Sequence, residues 1–428
     1  MQISDLYKLF QNNPIITTDS RECPTGSMFF ALKGASFDGN QYAAIALEKG
    51  CSYAVIDDKQ VLQNHSDDRM ILVGDVLTTL QQLANYHRRQ LGTKIIGITG
   101  TNGKTTTKEL IATVLSRKYN ILYTQGNFNN HIGVPKTLLQ LKPEHEFAVI
   151  EMGANHPGEI KTLVNIVEPD FGIITNVGKA HIEGFGSFEG VIKTKGELYD
   201  YLRQHSTDEK QCPIFIDETN EHLTNIADGL QQIKYGNNGH VIACDPFLRM
   251  EYEGREIDTH LIGSYNLCNC LAAATIGKHF EVSDDDICKA LAEYIPSNNR
   301  SQLQKTKDNT LIIDTYNANP TSMMAALKNF CDMKVDNKML VLGEMRELGS
   351  ISDAEHQKIV DFIAQNDSLN SALVWLVGDA FSKTDCRYRK FKDVEEVKSA
   401  ISEDKPKGYS ILIKGSNGTK LFQLPELL

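Results

Sequence analysis

The chain has 428 residues, 41% of them hydrophobic, and its 44 lysines and arginines against 55 aspartates and glutamates give a formal net charge of −11. That length suits two to four domains, with three the central expectation, each able to bury its own core. The acidic balance argues against a general binder of nucleic acid or anionic membrane, and no stretch approaches the roughly 18 uninterrupted apolar residues of a membrane span.

The start, Met1-Gln2-Ile3-Ser4-Asp5, lacks the basic-then-apolar build of a secretory leader. The nine cysteines are scattered, with Cys268 and Cys270 the one close pair, and read as reduced thiols of a cytoplasmic protein.

In chain order, the first 80 or so residues read as a small α/β unit. Met28 to Leu32, Tyr53 to Ile56 and Met70 to Val73 are expected strands, and Tyr42 to Lys49 is an expected helix ended by Gly50. A polar helix from about Leu77 to Gln90 follows. From Lys94 onward, apolar runs alternate with helical stretches: Ile95 to Ile98, Phe147 to Ile150 and Gly172 to Thr175. Continuous apolar strands separated by helices imply a parallel sheet covered on both faces. Ile295 to Asn299 is a turn-rich linker. After it the alternation restarts, with strands expected at Leu311 to Ile313, Met339 to Leu342, Leu373 to Val377 and Ile411 to Ile413, and helices at Ser322 to Asn329 and Ala354 to Gln365. This predicts a second, Rossmann-like domain.

The sharpest motif is Gly97-Ile98-Thr99-Gly100-Thr101-Asn102-Gly103-Lys104-Thr105-Thr106, lying between a strand and a helix expected to begin near Thr105. Gly100 and Gly103 let backbone N–H groups approach phosphate oxygens, and the new helix points its positive end there. Lys104 is placed to neutralise β/γ-phosphates and Thr105 to offer its hydroxyl to Mg²⁺. Ile98 occupies the place of the usual first glycine, so the match is to a shortened loop. Three later residues fit a magnesium site: Glu151 at the end of a strand, His181 after the next strand, and Lys195 on a helical stretch. A carboxylate is a natural Mg²⁺ ligand, and ligands of open α/β sheets collect at the carboxyl ends of strands. Taken alone, His181 reads as a structural or surface histidine and Lys195 as a solvated cation.

These pieces resemble the Mur ligase family, which includes folylpolyglutamate synthetase. The shared motifs are Thr99 to Thr105, Glu151-Met152-Gly153, and Asn176-Val177-Gly178-Lys179-Ala180-His181. Thr18-Asp19-Ser20-Arg21 with Gly26 to Gly34 looks like the uridine-nucleotide domain of later-acting members. Gly126 to Pro135, Asp314 to Pro320 and Gly343 to Gly349 look like the branch that adds D-alanyl-D-alanine, and the Asp-Asn-Pro-Arg motif usual in the diamino-acid-adding branch is absent. Three positions depart from the family's pattern: Tyr265 stands where histidine is common, Ser297-Asn298-Asn299-Arg300 replaces Pro-Gly-Arg, and Asn417 stands where arginine is common.

The resemblance implies an α/β chain of three domains: a uridine-precursor-binding domain over 1–80, a central P-loop ATPase-like parallel-sheet domain over 81–296, and a C-terminal Rossmann-like domain over 297–428. It implies ATP and Mg²⁺ as cofactors and UDP-N-acetylmuramoyl-tripeptide and D-alanyl-D-alanine as substrates. Lysine or diaminopimelate fits equally as the third peptide residue. A cytoplasmic monomer is expected. Gly100 to Thr106 would hold the ATP phosphates, with Asn269 at adenine, Arg300 at a phosphate and Asp314 at the ribose. Thr105, Glu151, His181 and a carbamylated Lys195 would hold Mg²⁺, since a carbamate turns an ammonium into an anionic oxygen ligand and burial favours the neutral amine it forms from. Ser20, Arg21, Asn129 and Asn130 fall in substrate-contacting segments. Asn317 and Asn319 either line the acceptor pocket or simply form the turn before Pro320. The competing class, a P-loop ATPase that moves a partner, usually carries a Walker-B aspartate, which Glu151-Met152-Gly153 does not match.

Overall fold

The computed structural model describes residues 1–65, 67–297 and 300–428. The chain divides into two compact units, one of Met1–Ile98, Tyr119–Gly153 and Glu159–Gly172, the other of Thr99–Lys118, Ala154–Gly158 and Ile173–Leu428.

The first unit opens with a helix, Ile3–Asn12, that was not among the expected elements; it buries Leu6 and Phe10, one face at helical spacing. β1 (Ile16–Thr17), β2 (Met28–Phe30), β3 (Tyr53–Ile56) and β4 (Met70–Leu72) pair in parallel in that order. Helix Ala43–Glu48 lays Ala43, Ala46 and Leu47 on Phe29, Ala54 and Ile56. Helix Val76–Gln90 is capped by the Asp75 carboxylate, which accepts from Thr78 N at 2.6 Å, and Arg88 ties its end to Asp170 at 2.9 Å. The domain boundary expected at 80/81 lies inside this helix. β5 (Lys94–Thr99), β6 (Ile121–Tyr123) and β7 (Phe147–Glu151) form a parallel run in the order β5-β7-β6. In that register Ile98 is the partner of Glu151, at the carboxyl ends of both strands.

In the second unit, β8 (Phe171–Ile174, which starts in the first), β9 (Ile214–Asp217) and β10 (Gln232–Tyr235) lie in the order β10-β9-β8. An antiparallel sheet of β11 (Gly239–Cys244), β12 (Phe247–Tyr252) and β13 (Arg255–Ile262) was not anticipated. Its strands are half-buried: Ile257, Thr259 and Leu261 point inward between exposed Glu256, Asp258 and His260. Such alternation lacks the continuous apolar run that marked the other strands.

The last sheet comprises β14 (Gln302–Lys305), β15 (Thr310–Asp314), β16 (Lys338–Gly343), β17 (Leu373–Val377), β18 (Arg389–Phe391) and β19 (Ser410–Lys414), in the order β14-β15-β19-β16-β17-β18. All pairs are parallel except β14 with β15. Successive strand residues enter different cores: Leu311, Ile313, Val341 and Ile411 pack on one face, Ile312, Leu340, Leu342 and Leu412 on the other. This is why these strands read as unbroken apolar runs. Among the described residues no helix is long and apolar enough to cross a membrane.

Candidate active site

The glycine loop joins β5 to helix Lys104–Leu115. Two of its glycines adopt left-handed or extended positive-φ backbone, Gly100 at +141° and Gly103 at +78°. The segment after β8 holds the loop from beside: Thr101 N donates to Asn176 O at 2.9 Å, Asn102 N to Asn176 Oδ1 at 2.9 Å, and the Thr175 hydroxyl to Asn102 O at 2.6 Å. Asn176 Nδ2 returns a bond to Asn102 O at 3.0 Å, and Gly178 N donates to Thr101 Oγ1 at 3.0 Å. Lys104 Nζ lies over the loop, donating to the carbonyls of Gly100 at 2.9 Å and Thr101 at 3.2 Å. Thr105 is buried and Thr106 half-buried in the first helical turn.

Asn269, on helix Asn266–His279, accepts from the Thr107 hydroxyl at 3.0 Å and donates to Asn266 Oδ1 at 2.8 Å. A Cβ on Gly103 would stand 2.7 Å from Asn269 Oδ1. Gly103→Ala therefore combines backbone strain with a collision at a side chain already bonded on both sides. The expected loss is about 1–3 kcal/mol, with nucleotide affinity weakened about tenfold or more. Thermal unfolding and nucleotide titration check this; a variant that binds nucleotide like the wild type contradicts it.

His181 sits at φ +51°, and its Nδ1 pairs with the Glu347 carboxylate. Burial pushes this imidazole's pKa down, Glu347 opposes the shift, and the charges of Lys104 and Lys195 add to it. Lys195 is buried on helix Phe188–His205, its Nζ donating to Ala154 O at 3.2 Å and lying 5.3 Å from the Phe185 ring centroid. The three sequence-named groups Lys104, His181 and Lys195 thus fall in one electrostatic neighbourhood. Glu347, absent from the sequence-derived site, joins it; the Gly343 to Gly349 motif was the signal, but no role attached to its second glutamate.

The same motif is anchored from behind. His356 is fully buried: its Nε2 accepts from Met345 N at 2.9 Å and its Nδ1–H donates to Ser352 O at 2.8 Å. The bond accepted by Nε2 needs the neutral ring, and burial lowers its pKa from the ordinary 6.5. A folded-state pKa below the unfolded one gives stability that is complete above the unfolded value and is lost as pH falls through the folded one. His356 therefore contributes to acid destabilisation below about pH 6.5, at no more than about 1.4 kcal/mol per pH unit. Chemical denaturation between pH 7.5 and 5 should show a shallower loss in His356→Gln than in the wild type; equal slopes contradict this.

In the C-terminal domain, the buried Lys414 Nζ donates to Asp314 Oδ2 at 2.5 Å and reaches Asn317 O at 3.4 Å. Asn317 Oδ1 accepts from Ala318 N at 2.8 Å. Asn319 caps helix Pro320–Asp332 in a reciprocal capping box with Ser322, and its Nδ2 also donates to Asn102 Oδ1 in the glycine loop at 2.8 Å. The turn-forming role considered for Asn319 is thus present, together with a contact to the loop. The Arg300 guanidinium stacks 3.9 Å from the Tyr316 ring centroid. Tyr265 shares a 2.6 Å hydrogen bond with Ser301, and Asn417 opens a short 3₁₀ turn. Asn298 and Asn299 lie outside the described residues.

In the first unit, Glu151 is buried, with Oε1 accepting from Asn129 Nδ2 at 2.9 Å. Asn129 O accepts from Gly153 N at 2.7 Å, and a Cβ on Gly153 would press on the Asn129 amide at 3.0 Å. That close approach explains the glycine of Glu-Met-Gly. Asn130 Oδ1 accepts from Gly133 N at 2.8 Å, at the start of helix Gly133–Leu138. Arg21 is exposed and forks onto Asp19, at 2.6 Å for Nη2–Oδ2; Ser20 O accepts from Lys49 Nζ at 2.8 Å.

Family models match along the chain: the Mur ligase family catalytic domain at 14–88, the Mur ligase middle domain at 98–277, and the Mur ligase glutamate ligase domain at 299–417. The UDP-N-acetylmuramoyl-tripeptide--D-alanyl-D-alanine ligase of Bacillus subtilis is 34% identical, covering 96% of this chain and 92% of that protein. The chain belongs to the Mur ligase family. The Escherichia coli enzyme of the same name is also 34% identical to this Mur ligase, over 80% of the chain and 77% of that protein. A crystal structure of MurF from Acinetobacter baumannii superposes with a TM-score of 0.82 at 30% identity, covering 99% of this Mur ligase and 97% of that chain. MurF of Thermotoga maritima in complex with ADP shares the fold, with a TM-score of 0.83 at 24% identity over 97% of each chain.

Proposed function

We infer that this Mur ligase joins D-alanyl-D-alanine to UDP-N-acetylmuramoyl-tripeptide at the expense of ATP, in peptidoglycan precursor synthesis. The observation that carries the reading is likeness along nearly the whole chain, at 34% identity, to a ligase of that name. The terminal carboxylate of the tripeptide attacks the γ-phosphate of ATP, ADP leaves, and the amine of D-alanyl-D-alanine displaces phosphate from the acyl phosphate. Phosphoryl transfer of this kind needs charge neutralisation and in-line placement more than a protein nucleophile. Lys104 is the cation for the transferring group, and the backbone of Gly100 to Thr106 cradles the phosphates. Asn269, Arg300 and Asp314 are assigned to the nucleotide; Ser20, Arg21, Asn129, Asn130, Asn317 and Asn319 to the two substrates.

Among the described residues no three His, Cys, Asp or Glu side chains cluster to hold a metal. Mg²⁺ commonly takes one or two carboxylates and completes its shell with phosphates and water. The buried carboxylate of Glu151 and the hydroxyl of Thr105 are hard oxygen donors of the type it takes. We assign Glu151, Thr105, His181 and a carbamylated Lys195 to it; bound there, the ion would neutralise phosphate charge. A cytoplasmic location belongs to this reading, supported by nine free cysteines, as does a monomer.

The test is a side-by-side assay of phosphate release. D-alanyl-D-alanine with each of two nucleotide tripeptides, ending in lysine or diaminopimelate, should support turnover. Lysine or diaminopimelate with the nucleotide dipeptide should give little, because a site built around one acceptor leaves buried polar groups unpaired with another. The opposite preference would move the protein to the diamino-acid branch, and ATP hydrolysis without either substrate would refute the ligase reading.

A further inference from the structure

Three connections meet at the amino ends of strands in the C-terminal sheet: those entering β17, β18 and β19. Asp314 and Lys414 stand at the other end of that sheet, at the carboxyl ends of β15 and β19. The three connections line a cavity of about 500 Å³, within the range of small-molecule sites. Its charge is lopsided. Arg387, Arg389, Lys405 and Lys407 line it, against the single carboxylate of Asp404, in a chain whose net charge is −11. Lys405 pairs with Asp308 at 2.9 Å. Arg387 spends its hydrogen bonds on the neutral Asn370, including 2.8 Å to its carbonyl, so its charge is not offset there. Arg389 lies 5.7 Å from the ring centroid of Trp375, its register partner on β17, and 4.7 Å from that of Phe391. Tyr388 also lines the cavity, its ring centroid 5.9 Å from the Arg387 guanidinium.

We propose that this cavity is a second ligand site that takes a small polyanion bearing phosphate or carboxylate groups. Cations gathered in a concave pocket raise the local positive potential and favour an anion there, even in an acidic protein. Arginine forks match the paired oxygens of both anion classes.

Trp375 is the only tryptophan in the chain, so its emission reports on this cavity. The full-length protein is titrated with pyrophosphate and, separately, with citrate, with calorimetry as a second readout. The expected result is a saturable change in emission with a midpoint near or below about 1 mM for at least one of the two, which also assigns the anion class. The response should persist in Lys104→Ala, whose change lies in the nucleotide loop. It should weaken about tenfold or more in Arg387→Ala/Lys407→Ala, which leaves Arg389 beside Trp375 and should keep ligation near the wild-type rate. Absence of saturable binding by both readouts overturns the proposal. So does an unchanged midpoint in the double variant, or loss of the response in Lys104→Ala.

Discussion

Lys104→Ala is expected to lower ligation about 10³-fold while leaving the protein folded. In this structure Lys104 Nζ donates to two carbonyls of its own loop, Gly100 O and Thr101 O. The loop itself is braced by Thr175, Asn176 and Gly178, none of which the substitution touches. The positive-φ glycines and the helix that follows stay as they are. What disappears is the charge available to the transferring phosphoryl group, a group stabilised almost wholly by electrostatics. Single-turnover phosphate release and a thermal melt together check the prediction. Turnover within a few-fold of the wild type would remove Lys104 from the mechanism, and a collapsed melt would make its role structural.

The second large effect is expected at Lys195. Lys195→Ala should cost on the order of 10²–10³-fold in turnover if a carbamate there is an oxygen ligand for the metal, and added formate should restore part of it by supplying a carboxylate in the vacated space. The side chain is buried, bonded to Ala154 O and packed near Phe185, so removing it leaves a gap that a small carboxylate can enter. Rescue separates the two readings of this residue. A lysine that merely fills space or donates to a carbonyl is not replaced by an anion, so a variant that is crippled and indifferent to formate would refute the carbamate. Mass spectrometry of the intact protein at high bicarbonate gives an independent measure, through the added mass of CO₂.

Much of this protein was legible in its sequence because the physics involved is local. Strands buried on both faces must be apolar at every position, so β5, β7, β8, β15, β16, β17 and β19 announced themselves as unbroken runs. A phosphate loop must place glycines, a lysine and a hydroxyl between a strand and a helix, and that order survives in one dimension. The sheet β11-β12-β13 escaped because half-buried alternating strands resemble ordinary polar chain. Helix Ile3–Asn12 escaped because only two of its residues are buried.

Other features were decided only in three dimensions, where residues distant in sequence meet. Gly103 stands against Asn269, across 166 positions of sequence, and that close approach leaves no room for a Cβ. Glu347 comes to His181, Asn319 to Asn102, and Lys414 to Asp314. Each partner had a plausible local role of its own, as an exposed acid, a helix cap or a strand-end lysine. Short-range pattern reports what a residue does for its own element; which element folds against it is set by the packing of the whole chain, and that is where these pairs are made.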